Sequence, residues 1–278
     1  MSGLATRVLT ALVLATVAFT CLFTSSYLLM LLLLLFVLGG VWEFATLADL
    51  HEGIAPNRAS LGDKIMVTLV GGAVYLLLSG IFTGIVSAKF WVVIPPLLFS
   101  LVIKELYAKP KGLFLRFSLY LTGILYVAVP CALVMALAHY GSEPTYKPFF
   151  VLSIFMLIWA NDTGAYFAGK FLGKTPLFKR VSPNKTWEGS IGGAALTLMF
   201  AVIIAQLLPE ISLVDWLVIG VLSITVGTWG DLAESMFKRN VGVKDSGSLL
   251  PGHGGVLDRL DAVFLVIPFV WAWLELVK

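Results

Sequence analysis

A stretch near the C-terminus, residues 235–261, concentrates the side chains of this chain that could do chemistry. Its charged and titratable members are Lys238, Arg239, Lys244, Asp245, His253, Asp258, Arg259 and Asp261. Lysine and arginine bind phosphate groups through charge-assisted hydrogen bonds, and carboxylate oxygens are the usual protein ligands of Mg²⁺. The stretch therefore predicts a site where a phosphate-bearing substrate meets a divalent metal ion.

The carboxylates occur in pairs with helical spacing. Asp258 and Asp261 are three residues apart and would share one face of a helix, and Asp231 and Glu234 repeat the same spacing. Mg²⁺ usually takes only one or two protein carboxylates and completes its coordination with water and substrate phosphates. Helix capping by Asp258 is the plainer alternative, but it does not explain Asp261 or the other acids. The expected metal ligands are Asp231, Asp258, Asp261, Asn161 and Asp162.

A glycine-rich segment, residues 250–255, precedes the last apolar run. Gly254 and Gly255 would let the backbone approach a ligand closely, and the start of a helix favours anions. The flanking cations Lys244 and Arg259 strengthen an otherwise weak signal. For His253 three roles stay open: a donor to phosphate, an acid or base, or a residue that orients the loop.

The rest of the chain is strongly apolar: 59% of its 278 residues are hydrophobic, 13% are charged, and the mean hydropathy is +0.96. A soluble domain carries about 25% charged residues, and a membrane span needs roughly 20 apolar residues. The sequence predicts an all-α, polytopic transmembrane bundle of about nine spans. They are expected at 8–24, 27–47, 65–87, 90–106, 117–139, 149–169, 187–208, 216–234 and 256–276.

The basic residues predict the orientation of these spans. With the N-terminus inside, sixteen of the 19 Lys and Arg residues fall on the cytoplasmic side, and only Lys89, Lys147 and Lys278 fall on the other. This asymmetry follows the positive-inside rule. The acids that close or open the later spans then share the cytoplasmic level, which predicts a polar pocket there. Scattered charges at helix ends are the plainer alternative.

The chain is expected to divide into N-terminal transmembrane helices, 1–148, and a catalytic transmembrane region with cytoplasmic loops, 149–278. Residues 169–175 look like a nucleotide-binding P-loop, but three residues separate the glycines instead of four, and the segment follows a membrane span. A P-loop is therefore rejected. The basic residues of this segment could still meet phosphates or anionic lipid headgroups.

The stretch 235–261 resembles the signature of the phosphatidate cytidylyltransferases, also called CDP-diacylglycerol synthases. We call it the signature stretch. The fixed positions are met by Ser235, Lys238, Arg239, Lys244, Asp245, Pro251, His253, Gly254, Gly255, Asp258, Arg259 and Asp261. Residues 161–166 and 182–189 are similar to two further blocks of this family, although Asn184 stands where many members carry a basic residue. The resemblance covers about 150–278.

The resemblance implies that CTP and phosphatidic acid are converted to CDP-diacylglycerol and pyrophosphate. It also implies dependence on Mg²⁺ with a second cation such as K⁺, a homodimer, and a bacterial inner-membrane location; no nucleic-acid partner is expected. The expected catalytic residues are Lys238, Arg239, Lys244, Asp245, His253 and Arg259. The expected substrate-binding residues are Ser182, Asn184, Lys185, Thr186, Ser235, Gly254 and Gly255.

Two other classes of protein remain open. One is another CTP-dependent membrane lipid enzyme, either a polyprenol or dolichol kinase, which would release CDP, or a CDP-archaeol synthase. The other is a transporter with acids inside its spans. The transporter is disfavoured because the polar residues gather at one predicted face and do not continue through the bilayer.

Overall fold

The computed structural model describes residues 3–51, 59–108, 113–141, 145–250, 252 and 254–278. Within these ranges the chain forms nine α-helices and one small β-hairpin. The helices are α1 (Gly3–Thr24), α2 (Ser26–Ala48), α3 (Leu61–Phe82), α4 (Ile94–Ala108), α5 (Leu113–Leu137), α6 (Pro148–Leu172), α7 (Trp187–Leu207), α8 (Leu213–Asn240) and α9 (Leu257–Val277). The hairpin strands, β1 (Pro176–Phe178) and β2 (Ser182–Thr186), lie between α6 and α7.

Eight segments of the described chain are long and apolar enough to cross a membrane. Seven of them are α2, α3 and α5 to α9, and the eighth joins α4 to the 3₁₀ helix that precedes it. Helix α1 contributes a shorter apolar segment, Val8–Thr24. The predicted all-α polytopic architecture is therefore confirmed, with eight candidate spans and one shorter apolar segment among the described residues.

The fourth predicted span, 90–106, contains Pro95 and Pro96 near its start. A 3₁₀ helix covers Ala88–Val93, and α4 begins at Ile94. The two prolines therefore occupy the first turn of an α-helix. Proline is tolerated there because the first N–H groups of a helix have no intrahelical acceptor to lose.

Helix α8 extends beyond its predicted end at 234 and carries Lys238 and Arg239 in its last turn. The backbone closes this end: Gly242 N–H donates to the Arg239 carbonyl at 3.1 Å, and Val243 N–H donates to the Lys238 carbonyl at 3.0 Å. Gly242 has φ +76°, a conformation that glycine adopts without strain at the end of a helix. The start of the signature stretch is thus helical, which fixes the direction of its first two cations.

The segment between the sixth and seventh predicted spans, 170–186, contains the hairpin. Its strands pair antiparallel, with Pro176 opposite Thr186 and Phe178 opposite Ser182. Strands of three and five residues are too short to show an alternating pattern in sequence, so the prediction missed them. The hairpin delivers Thr186 to the start of α7, where its Oγ1 accepts a hydrogen bond from Gly189 N–H at 3.1 Å.

The chain divides into two compact units. The first comprises Met1–Tyr146 and Lys238–Leu260, and the second comprises Lys147–Phe237 and Asp261–Lys278. The division predicted from sequence, at 148/149, stays a prediction. The structure adds that most of the signature stretch packs with the N-terminal helices.

Small residues let α6 and α7 pack closely in the second unit. A Cβ on Gly164 would lie 2.9 Å from the Gly192 carbonyl oxygen, and one on Gly193 would lie 2.6 Å from the Asn161 carbonyl oxygen. Side chains larger than hydrogen are therefore excluded at these two positions. Close backbone approach through small residues is a common way for membrane helices to associate.

Candidate active site

Three carboxylates and one lysine come together in the second unit. Asp162 lies on α6, Asp231 on α8, Asp261 on α9 and Lys185 on β2. Lys185 forms an ion pair with Asp231. Asp162 interacts electrostatically with Lys185 and Asp231, and Asp261 interacts with all three. Four elements that are distant in sequence thus place like charges close together, with one cation among them.

The backbones of α8 and α9 approach closely at this cluster. A Cβ on Gly230 would lie 2.7 Å from the Asp261 carbonyl oxygen and 3.1 Å from Ala262 Cα. Because Asp231 follows Gly230 directly, the contact brings the two acidic residues to the same level. Ser235, one turn later on α8, donates a hydrogen bond from Oγ to Asp231 Oδ1 at 3.2 Å.

The donor set of this cluster suits a hard cation, because carboxylate oxygens are the ligands that Mg²⁺ prefers. Among the residues that the structure describes, however, no three His, Cys, Asp or Glu side chains are grouped closely enough to hold a metal ion by themselves. The assignment of metal ligands stays a prediction.

Asp258 sits in a second cluster, in the first unit. Its Oδ1 accepts a hydrogen bond from Lys238 Nζ at 2.6 Å, and its Oδ2 accepts from Ser246 N–H at 2.9 Å, Ser246 Oγ at 3.0 Å and Gly255 N–H at 2.9 Å. Both oxygens are therefore already engaged by protein donors. In this arrangement Asp258 organises the signature stretch, whereas its predicted role as a metal ligand stays untested.

Glu43 of α2 joins this second cluster, and the sequence reasoning did not select it. The residue is 3% exposed, and its Oε2 accepts hydrogen bonds from Ser246 Oγ at 3.2 Å and Leu257 N–H at 3.1 Å. One available signal was the presence of a carboxylate near the end of an otherwise apolar span, since such charges usually serve a function.

The two loop glycines have a structural reason to be glycine. A Cβ on Gly254 would lie 2.8 Å from Asp258 Oδ2, and one on Gly255 would overlap Ser246 Oγ. Gly254 also has φ +85°. Sequence reasoning expected these residues to admit the substrate; the structure shows that they admit Asp258 and Ser246, and substrate binding by them stays a prediction.

The predicted cations differ in their surroundings. Lys238 is 9% exposed and pairs with Asp258, whereas Arg239, Lys244 and Arg259 are exposed. Arg239 donates to the Val243 carbonyl at 3.0 Å. The exposed members are the ones positioned to meet a ligand without first breaking a buried ion pair. Asp245 is also exposed, and His253 and Pro251 lie outside the described residues.

The remaining predicted residues belong to the second unit. Thr186 caps α7, Ser182 and exposed Asn184 lie on β2, and Asn161 is buried with its Oδ1 beside Gly193. Glu188, the first-turn acid of α7, accepts hydrogen bonds at 3.1 Å from the N–H groups of Lys174 and Thr175. Thr186 and Glu188 thus hold the hairpin that presents Lys185.

A third set of charges lies in the N-terminal helices and was not assigned a role from sequence. Asp63 on α3 pairs with Lys104 on α4 and, at 3.5 Å, with Arg116 on α5; Arg116 also pairs with Glu105 at 3.4 Å. Glu105 is 1% exposed and Arg116 is 5% exposed. Since both signs are present and paired, this network links three helices, and nothing about it points to a ligand.

The helices define a polytopic membrane protein. The family model for the cytidylyltransferase family matches residues 5–277. The chain therefore belongs to the cytidylyltransferase family, which confirms the resemblance seen in its signature stretch.

Curated relatives agree with this assignment. The chain is 35% identical over 277 residues to the phosphatidate cytidylyltransferase of Haemophilus influenzae, which covers 95% of this chain and 96% of that protein. It is 49% identical over 125 residues to the enzyme of the same name from Bacillus subtilis, covering 44% of this chain and 45% of the relative. The corresponding Staphylococcus aureus (strain COL) enzyme is 45% identical over 123 residues, covering 44% of this chain and 47% of the relative.

Proposed function

We propose that this protein is a membrane nucleotidyltransferase that converts CTP and phosphatidic acid to CDP-diacylglycerol and pyrophosphate in phospholipid biosynthesis. The observation that carries the proposal is the full-length match: a relative named phosphatidate cytidylyltransferase aligns over 96% of its own length. The signature stretch supports it, because the phosphate-binding cations and carboxylates fall inside the matched region.

The reaction joins two anions. A phosphate oxygen of phosphatidic acid attacks the α-phosphorus of CTP and forms a new P–O–P linkage, while the bond from the α-phosphorus to the oxygen bridging to the β-phosphorus breaks. Pyrophosphate leaves with that oxygen and its electron pair. Since the lipid phosphate is already an anionic nucleophile, no protein nucleophile is needed, and catalysis consists mainly of positioning and charge neutralisation.

Several side chains could meet the requirement for positive charge. Lys185 on β2 pairs with Asp231 on α8, and the exposed Arg239, Lys244 and Arg259 also carry positive charge. Each is suited to offset phosphate charge as the two substrates approach. Lys238 is held by Asp258 and would act from a fixed position.

Asp231 and Asp261, with Asp162 beside them, are the residues that we propose to hold Mg²⁺. The bound ion would supply charge neutralisation to the triphosphate. Asn161 completes the proposed ligand set in this unit, and a second cation such as K⁺ belongs to the same proposal. Lys185, which pairs with Asp231, is the cation beside this set that would pair with a substrate phosphate.

The surroundings of the reaction are also proposals. The distribution of Lys and Arg supports a multi-pass protein of the bacterial inner membrane with its N-terminus inside and its site facing the cytoplasm, where CTP is available. A homodimer is proposed from the family resemblance alone.

The test is product identification with purified protein in detergent. CTP labelled at the α-phosphorus, phosphatidic acid and Mg²⁺ are mixed, and lipid and aqueous products are separated. We expect label in CDP-diacylglycerol and release of one pyrophosphate per turnover, with both lost when EDTA removes Mg²⁺. Release of CDP with a phosphorylated polyprenol would indicate a kinase instead, and an archaeal lipid substrate used in preference to phosphatidic acid would indicate a CDP-archaeol synthase.

A further inference from the structure

We propose that Glu43 of α2 is a positioning residue for the reaction, acting through Ser246 and the start of α9 on the Asp258–Lys238 pair. The inference rests on the proposed function, because it assigns Glu43 to the same site. It also brings the N-terminal helices, which carry none of the signature residues, into the catalytic apparatus.

A continuous set of hydrogen bonds connects Glu43 to the signature cation. Glu43 Oε2 accepts from Ser246 Oγ at 3.2 Å, Ser246 donates from both N and Oγ to Asp258 Oδ2, and Asp258 Oδ1 accepts from Lys238 Nζ at 2.6 Å. Glu43 and Ser246 are buried, and the side chains of Asp258 and Lys238 are 8% and 11% exposed. Water is therefore a poor substitute for any lost partner.

The same carboxylate caps the N-terminus of α9. Leu257 is the first residue of this helix, and its N–H, which lacks an intrahelical acceptor, donates to Glu43 Oε2 at 3.1 Å. A negative group is favourable at this end of a helix. Glu43 thus caps α9 from a different helix, so the direction of α9, and with it Asp258, depends on α2.

Two glycines show that the loop is shaped around Glu43. A Cβ on Gly247 would lie 2.5 Å from Glu43 Oε1, and one on Gly255 would lie 2.5 Å from Glu43 Oε2. Oε1 is buried and, among the described residues, accepts no hydrogen bond. The interaction with the loop therefore depends on a single oxygen, Oε2, which can be tested by changing the acceptor while keeping most of the volume.

Loss of this acceptor should affect rate more than folding. Ser246 has one hydroxyl hydrogen to share between Glu43 and Asp258, so without Glu43 it can rotate fully towards Asp258 and shift the loop. Displacing a reacting group by about 1 Å can reduce turnover by about a hundredfold. We expect at least a tenfold fall in kcat when Glu43 loses its acceptor.

The experiment compares three variants. Glu43→Leu removes the acceptor and fills much of the space, whereas Glu43→Gln keeps a carbonyl oxygen for Ser246 and Leu257. Glu105→Gln is the matched control: it neutralises an equally buried acid of the N-terminal helices that is bonded to Lys104 and Arg116 and not to the loop. For each, kcat and KM are measured on the folded fraction, and hydrogen exchange is followed over residues 244–258.

The proposal predicts that Glu43→Leu lowers kcat at least tenfold and accelerates exchange in this segment. Glu43→Gln should stay within about threefold of wild type, and Glu105→Gln should leave kcat and loop exchange unchanged. Wild-type kcat in Glu43→Leu, or equal losses in the Leu and Gln variants, would overturn it. If the wild-type protein forms no CDP-diacylglycerol, the proposed function fails, and the exchange data still decide whether Glu43 holds the loop.

Discussion

The Asp258–Lys238 pair offers the sharpest test of how the signature stretch is held together. In Asp258→Asn one carboxylate oxygen becomes an amide NH₂. The Oδ2 position accepts three hydrogen bonds, from Ser246 N–H, Ser246 Oγ and Gly255 N–H, whereas Oδ1 accepts one from Lys238. The remaining carbonyl oxygen should therefore stay with the three donors, which turns the NH₂ towards the lysine ammonium.

The expected loss of stability in Asp258→Asn follows from the burial of Lys238. Lys238 would keep its charge at 9% exposure with Asp258 neutralised and an amide donor facing it. Removing one partner of a buried ion pair costs about 3–5 kcal/mol, which corresponds to a fall in apparent Tm on the order of 10 °C for a chain of this size. If Asp258 acted only as a metal ligand, the same change would remove turnover and leave Tm unchanged.

The assay is thermal denaturation in detergent, followed by the loss of monodisperse protein, alongside initial rates. Lys238→Met in the Asp258→Asn background is the matched control, because it removes the ammonium group that faces the new amide. We expect the double variant to recover most of the lost Tm and none of the activity. An Asp258→Asn protein as stable as wild type, or no recovery in the double variant, would refute the ion-pair reasoning.

Three further predictions concern the second unit. Asp261→Asn should lower turnover by about a hundredfold or more while the protein stays folded in the membrane, because charge stabilisation at a reacting centre is worth about that much; near-normal rates across a Mg²⁺ titration would remove Asp261 from the site. Lys185→Met should also abolish most turnover, yet change stability by less than about 1 kcal/mol, since its pair with Asp231 is partly exposed (27% and 34%); a large drop in Tm would show a structural role instead. Gly193→Ala should destabilise the protein by about 1–3 kcal/mol, because its Cβ would lie 2.6 Å from a backbone oxygen of α6; Gly62→Ala on α3, with its nearest atom at 3.7 Å, is the control and should be neutral or slightly stabilising in thermal denaturation.

The requirements of the lipid bilayer explain why the membrane spans could be predicted from the sequence. An apolar run of about 20 residues can satisfy its backbone in a bilayer only as a helix, so eight of the nine predicted spans lie on helices that meet the length and hydropathy of a membrane span, and the first lies on α1. The predicted boundaries were less accurate. The prediction ended α8 too early and missed the hairpin, because short-range sequence signals are weakest there.

The sequence by itself determined the class of protein, because charge composition, hydropathy and the fixed spacing of the signature stretch are local properties. It also selected Asp162, Asp231, Asp261 and Lys185, because carboxylates suit a metal ion and a lysine suits a phosphate. What only the tertiary structure decided is which of these groups meet. Ser246 and Leu257 are bonded to a carboxylate 203 and 214 residues away, and Asp258 is turned towards Lys238 rather than left open. No periodicity encodes such pairs, since they depend on how separate helices pack and on the glycines that leave room for them.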